Sequence, residues 1–508
     1  MGQNDLSRRG FLRSAGVASL TLGMAKTGPA ADAKKRLAKL PGRKPRNVVF
    51  ILSDDHRYDF MGFMGKVKFL ETPNMDRLAR EGAHIQNATV TTALCSPSRA
   101  SILTGQFSHR HGVVDNQTDI RPDVVFFPQY LQQLGYETAF MGKWHMGHDS
   151  DEPRPGFDKW VSFRGQGEYY NCQLNIDGKR TRAAKQISDE LTDHAVQWLQ
   201  QKREKPFFLY LSHKAVHAMF EPAKRHLGKY ENVQLDYPAT MADTSENYQG
   251  KPAWVKEQRN SWHGVDYMYH GQMDFDTFYK RYCETLLSVD DSIGRVLDCL
   301  QEMGQDQSTL VFYMGDNGFC FGEHGLIDKR HMYEPSMRVP LLAYCPEIIQ
   351  PGTKVPQLVQ NIDIAPTILE AAGAEAPPHM DGRSFLPLLE SKDLAWRDMV
   401  FYEYYWEAPF PQTPTTFGVR TDRYKFIQYH GIWDTDELYD IQNDPDERHN
   451  LIDVPAHQGL VKNLRVKLYD WLEKTDGMQI PLRRETGGRS DKRGPKRVKE
   501  YRYYQERK

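Results

Sequence analysis

The sequence predicts an α/β fold, a large mixed, mostly parallel sheet between helices, joined to a smaller C-terminal α+β domain, and three observations carry that prediction. Residues 47–52, 206–211 and 309–314 are short continuous apolar runs, the pattern of strands covered on both faces. Amphipathic stretches at 74–81, 188–201 and 278–303 alternate with them, as helices do in doubly wound folds. Past residue 390 the pattern changes to short alternating runs at 401–406, 417–420, 424–430 and 437–440, closed by a helical stretch at 460–474. That order reads as a small antiparallel sheet packed by one helix.

Taken from the start, the chain opens on Ser7-Arg8-Arg9-Gly10-Phe11-Leu12-Arg13, ahead of a mildly apolar run from Ala15 to Ala25 and the small-x-small element Ala31-Asp32-Ala33. This resembles a twin-arginine signal peptide over residues 1–33, which implies the twin-arginine export machinery as a partner and a periplasmic or secreted location. The run is too short and too rich in Gly, Ala and Ser for a stable membrane span. Residues 34–45 read as a linker, 46–390 as the larger domain, 391–478 as the C-terminal sheet and helix, and 479–508 as a basic tail without apolar period. Within the larger domain, residues 230–275 are polar and aromatic without a clear period, a long insertion suited to a substrate rim.

Lys plus Arg (66) balance Asp plus Glu (67), so no overall field draws the chain to nucleic acid or an anionic membrane. The six cysteines form no C-x-x-C pair and no zinc spacing. Folding in a reducing cytoplasm before export leaves most of them as small buried residues.

Each strand of the predicted sheet delivers polar groups at its C-terminal end, where such sheets bind ligands: Asp54-Asp55, Ser212-His213 and Asp316-Asn317. Asp54, Asp55, Asp316 and Asn317 are four oxygen donors of the kind Ca²⁺ takes. Cys95 stands just before a Pro-initiated helix with Arg99 one turn further on, where free N–H groups and the helix dipole favour an anion.

Cys95-Ser96-Pro97-Ser98-Arg99 with Leu103-Thr104-Gly105 matches the signature C-x-P-S-R-x-x-x-L-T-G of the sulfatases at every fixed position. Gly142-Lys143-Trp144-His145 resembles their G-K-x-H element, and residues 325–330, 333–334 and 338–342 resemble their sulfate-binding lysine segment. The chain is identified by this resemblance as a member of the formylglycine-dependent sulfatases, in the alkaline-phosphatase-like superfamily, over roughly residues 46–471.

The resemblance implies that a formylglycine-generating maturation enzyme oxidises Cys95 to formylglycine, whose aldehyde hydrate is the nucleophile. It implies Ca²⁺ held by Asp54, Asp55, Asp316, Asn317 and the modified Cys95, with Asp316 as base and Arg99 holding hydrate and metal shell. Lys143 and Lys329 hold the sulfate, His145 helps expel it, and His217 protonates the leaving alcohol. Where relatives often carry His-x-Pro, this chain reads His217-Ala218-Met219, so His213 stays a rival for the acid.

The activity implied is sulfuric ester hydrolysis on a sulfated saccharide, closest to the N-acetylglucosamine-6-sulfatase-like members. A phosphonate monoester or phosphodiester hydrolase of the same superfamily is the alternative. A catalytically silent sulfated-glycan-binding protein is a third reading, against which stand the intact Cys95, both metal pairs and four basic residues. A serine hydrolase using Ser96 or Ser98 lacks a G-x-S-x-G elbow.

Overall fold

The computed structural model describes residues 37–147, 149–268 and 273–481. The expected signal peptide and most of the basic tail lie outside the described residues. Ten strands form the main sheet: β1 (Val48–Ser53), β2 (Ala83–Thr89), β3 (Glu137–Lys143), β4 (Lys159–Phe163), β5 (Gln173–Ile176), β6 (Lys179–Arg182), β7 (Phe207–Ser212), β8 (Leu310–Gly315), β9 (Leu341–Tyr344) and β10 (Thr353–Gln360). Their order is β10-β2-β9-β8-β1-β7-β3-β4-β5-β6.

The three apolar runs become the neighbours β8, β1 and β7, all parallel and wholly buried. Side chains alternate between faces with a period of two, so Val48, Phe50 and Leu52 enter one hydrophobic cluster while Val49 and Ile51 enter another. Burial on both faces explains why these strands read as continuous rather than alternating hydrophobicity. Antiparallel pairings confined to β9, β5 and β6 make the sheet mixed.

Helices α1 (Pro73–Glu81), α2 (Cys95–Thr104), α3 (Ile187–Leu199) and α4 (Phe275–Glu302) flank the sheet, and α3 packs on α4. Two sequence expectations need correction. Cys95 is the first residue of α2 rather than the one before it, with Pro97 inside the first turn. α4 begins at Phe275 because the Asp274 side chain accepts from Thr277 N, an N-cap that takes the last residue of the expected insertion into the helix.

The described part of that insertion is folded onto the core. Tyr230, Met241, Trp254 and Val265 are buried, and Ser245–Tyr248 and Ala253–Gln258 are short helices. Strands β11 (Met399–Tyr404), β12 (Thr415–Thr421), β13 (Tyr424–His430) and β14 (Glu437–Asp440) form the second, antiparallel sheet in sequential order. Helix α5 (Gln458–Lys474) covers it, with Trp471 stacked on Phe401 at 4.8 Å. Among the described residues no helix is long and apolar enough to cross a membrane.

Candidate active site

The loops that leave β1, β7 and β8 are tied to one another by backbone hydrogen bonds. Asp54 N donates to Ala215 O at 2.8 Å, Val216 N to Asp54 O at 2.7 Å, and Asp316 N to Ser53 O at 2.9 Å. Asp55 takes a left-handed turn at φ +50°, and its N–H donates to Asp316 Oδ1 at 3.0 Å. Strand adjacency thus joins Asp55 to Asn317 across 262 positions of sequence.

Asp54, Asp55 and Asp316 are buried, each offering a carboxylate oxygen within 4.8 Å of the others. Asn317 Nδ2 donates to Asp55 Oδ1 at 2.7 Å and to Gly318 O at 2.9 Å, while its Oδ1 is buried with no hydrogen-bond partner. Three buried carboxylates and an unsatisfied amide oxygen fit a hard cation, which would supply that oxygen's missing partner and offset the gathered negative charge.

Buried cations brace the cluster. The Arg99 guanidinium reaches Asp316 Oδ2 at 2.9 Å, Asp54 Oδ2 at 3.0 Å, the Lys143 carbonyl at 2.8 Å and Ser212 Oγ at 2.6 Å. Lys143 Nζ donates to Asp54 Oδ2 and Gln166 Oε1. Lys329 Nζ donates to Asp55 Oδ1 and lies 2.9 Å from Cys95 Sγ.

Burial pushes the Asp54 carboxyl up, but Lys143 and then Arg99 outweigh it and hold the group well below the usual carboxylate range. Burial raises the Asp55 carboxyl to about 7 against the pull of Lys329, with Asp54 and Asp316 adding to the rise. Burial, with Asp54 adding to it, pushes the Cys95 thiol up to about 12. An unmodified thiol here is therefore protonated at neutral pH and a poor nucleophile.

The two candidate acids separate clearly. A ring nitrogen of His217 lies within 4.8 Å of Cys95 Sγ and of an Asp54 oxygen. Its Nδ1 donates to the Ala218 carbonyl at 2.6 Å, which leaves Nε2 for chemistry. His213 instead bonds Ser292 Oγ on α4 through Nε2 at 3.0 Å, and burial lowers its pKa to about 4. Ser96 and Ser98 give their hydroxyls to the carbonyls of His145 and Asp316. His145 sits at φ +67°, with Gln166 Nε2 3.1 Å from its Nε2.

Gln166 and Tyr169, whose hydroxyl donates to the His217 carbonyl at 2.7 Å, are site residues that sequence reasoning missed. The one available signal was the Gly165-Gln166-Gly167 triplet. The Lys329 segment is clamped from two sides. The insertion provides Ile327 N to His263 O at 2.7 Å and Val265 N to Gly325 O at 3.0 Å. From the C-terminal part of the chain, Glu407 meets Arg330, Glu437 accepts from Tyr333 at 2.9 Å, and Arg420 and Lys425 pair with Glu334 at 2.9 and 2.7 Å.

A mixed α/β sheet carrying a braced tricarboxylate pole, two ammonium groups and a helix-terminal cysteine defines a hydrolase for anionic esters. Comparison with known proteins completes the assignment. The sulfatase family model matches residues 46–374, and the model for the C-terminal region of N-sulphoglucosamine sulphohydrolase matches residues 322–474. The chain belongs to the sulfatase family and is a sulfuric ester hydrolase.

It is 34% identical over 483 residues to the N-acetylglucosamine-6-O-sulfatase of Bacteroides thetaiotaomicron, covering 83% of this chain and 84% of that one. The N-acetylglucosamine-6-sulfatase of Homo sapiens is 31% identical over 405 residues, covering 74% and 70%. A protein solved in complex with its substrate D-glucosamine-2-N,6-O-disulfate superposes with a TM-score of 0.79 at 32% identity, covering 86% and 99%.

Proposed function

We propose that this sulfatase removes the 6-O-sulfate from a glucosamine or N-acetylglucosamine unit of a sulfated saccharide, with Cys95 matured to formylglycine. The cation is Ca²⁺, held by Asp54, Asp55, Asp316, Asn317 and the matured side chain. One observation carries the reaction: Cys95 Sγ lies 2.9 Å from the Lys329 ammonium and within 4.8 Å of Asp54 and His217. The sugar assignment rests on the names and the bound substrate of the relatives. Calcium is supported by a donor set, Asp54, Asp55, Asp316 and Asn317, that is all oxygen. Residues 46–390 form the catalytic domain and 391–478 its C-terminal support. The twin-arginine-like start of the sequence supports a periplasmic or secreted site of action.

When bound, the cation supplies positive charge to the sulfate oxygens and lowers the pKa of the nucleophilic hydroxyl. The remaining work falls to side chains. Each ammonium has three donors, so Lys143 and Lys329 keep an N–H for sulfate beyond those given to carboxylates. Asp316, a buried carboxylate of the same cluster, takes the proton of the attacking hydroxyl. Arg99 holds Asp316 and Asp54 in register for this.

His217 protonates the departing alcohol through Nε2. Burial and then Lys143 and Lys329 hold its pKa well below the usual histidine value, a field that a bound sulfate anion counteracts. His145 promotes sulfate release.

The test is sulfate release from a panel: N-acetylglucosamine-6-sulfate, glucosamine-2-N,6-O-disulfate, galactose-6-sulfate, an aryl sulfate and a phenyl phosphonate ester. We expect kcat/KM for the 6-sulfated glucosamines to exceed that for the galactose ester by at least about tenfold, the size of discrimination that one well-placed contact supplies. Preference for galactose-6-sulfate overturns the sugar, and preference for the phosphonate overturns the ester.

A further inference from the structure

We propose that Gln166 is a positioning residue for this reaction: its amide sets the tautomer of His145 and aims the ammonium of Lys143. The inference rests on the reading in which His145 serves sulfate release and Lys143 binds sulfate. Gln166 Oε1 accepts from Lys143 Nζ, and Gln166 Nε2 lies 3.1 Å from His145 Nε2.

An ammonium has donors only, so it meets the amide oxygen, and the amide nitrogen is left to the imidazole. That nitrogen only donates. His145 Nε2 must therefore accept, which makes the ring neutral with its proton on Nδ1. Gln166 thus keeps a lone pair on Nε2 ready for the hydroxyl that must lose its proton as sulfate leaves. The hydroxyl displaces a neutral N–H, an exchange of one hydrogen bond for another. On the other side, Lys143 gives one N–H to Asp54 Oδ2 and a second to Gln166 Oε1. With two of three donors anchored, the direction of the third is set, and that N–H is the one available to a sulfate oxygen.

The backbone is shaped around this side chain. Gln166 is half-buried in the loop after β4, between Gly165 at φ +52° and Gly167 at φ +63°, two left-handed positions in three residues. A Cβ at Gly167 would fall 2.4 Å from the ring of Phe163, so the turn also needs a glycine for lack of room.

Two variants test the idea, with rates expressed per formylglycine and melting temperatures measured alongside. Gln166→Glu keeps an acceptor for Lys143 but offers His145 an acceptor in place of a donor. Gln166→Met keeps the bulk and removes both bonds. With an aryl sulfate, phenol and sulfate are followed separately by rapid mixing. For Gln166→Glu we expect kcat to fall about 10–100-fold, within the range for impaired proton transfer, with KM falling alongside it and kcat/KM changed little, because only the second step is slowed. We also expect a burst of phenol equal to the enzyme present, ahead of slow sulfate release, as in His145→Ala. Gln166→Met should lower kcat/KM as well, since Lys143 also loses its anchor.

A Gln166→Glu enzyme that turns over like wild type, or losses that follow only the folded fraction, would overturn the proposal. If His145→Ala gives the burst and Gln166→Glu does not, Gln166 loses its role while the release role of His145 stands. If His145→Ala gives no burst, the release role fails and this proposal fails with it.

Discussion

At the scale of single residues the site turns on Cys95. Burial places its thiol at about 12, so the residue has little nucleophilic use unless oxidised. We expect peptide mass spectrometry to find formylglycine at Cys95 when the protein is made alongside a maturation enzyme. An active preparation containing only the thiol would contradict the mechanism. His217 and His213 are set apart by their partners, one beside Cys95 and the other bonded to α4. His217→Ala should lose about 10²–10⁴-fold on an alkyl sulfate and markedly less on an aryl sulfate, whose leaving group needs no acid. Loss independent of the leaving group would remove His217 from that role, and a graded loss in His213→Ala would transfer it. Cys95, Arg99 and the two acid pairs were legible because their signals are contiguous in sequence. Gln166 and Tyr169 were not, since each works through a contact with a residue 21 or 48 positions away.

At the scale of elements, the segment carrying Lys329 owes its position to partners on both sides. The insertion read as a substrate rim without clear period supplies one side, because its backbone pairs with residues 325–327. A second junction joins the short helix Ser108–His111 to β11 and to the end of α5 through His109, whose Nδ1 lies 2.7 Å from Glu403 and whose Nε2 lies 3.0 Å from the Thr475 carbonyl. Burial opposes the charge on His109, but Glu403 wins and raises its pKa above the usual 6.5. A group raised in the folded state contributes stability that is complete below its unfolded value and is lost as pH rises through the folded one. Unfolding midpoints should therefore decline as pH rises above 6.5, and His109→Gln should flatten that decline while lowering stability by about 2 kcal/mol at pH 6. A decline of equal slope in the variant would place the pH sensitivity elsewhere.

At the scale of the whole molecule, three buried carboxylates come from strand ends far apart in sequence, so a cation there ties β1 to β8 and stabilises the folded chain by linkage. Calcium at a hundred times its dissociation constant should add about 2.7 kcal/mol, raising the melting temperature, and chelation should reverse it. Asp54→Ala and Asp316→Ala should lose the bound metal on elemental analysis together with activity. Retention of both would move the site. The sequence by itself determined the sheet's three central strands and singled out Cys95 and the acid pairs as candidates, because apolar period and contiguous motifs are local properties of the chain. Only the tertiary structure decided which histidine faces Cys95, that the insertion is packed, and that Gln166 joins Lys143 to His145. These depend on which loops meet once β8, β1 and β7 lie side by side, and strand order is set by the packing of the whole core rather than by any local run of residues.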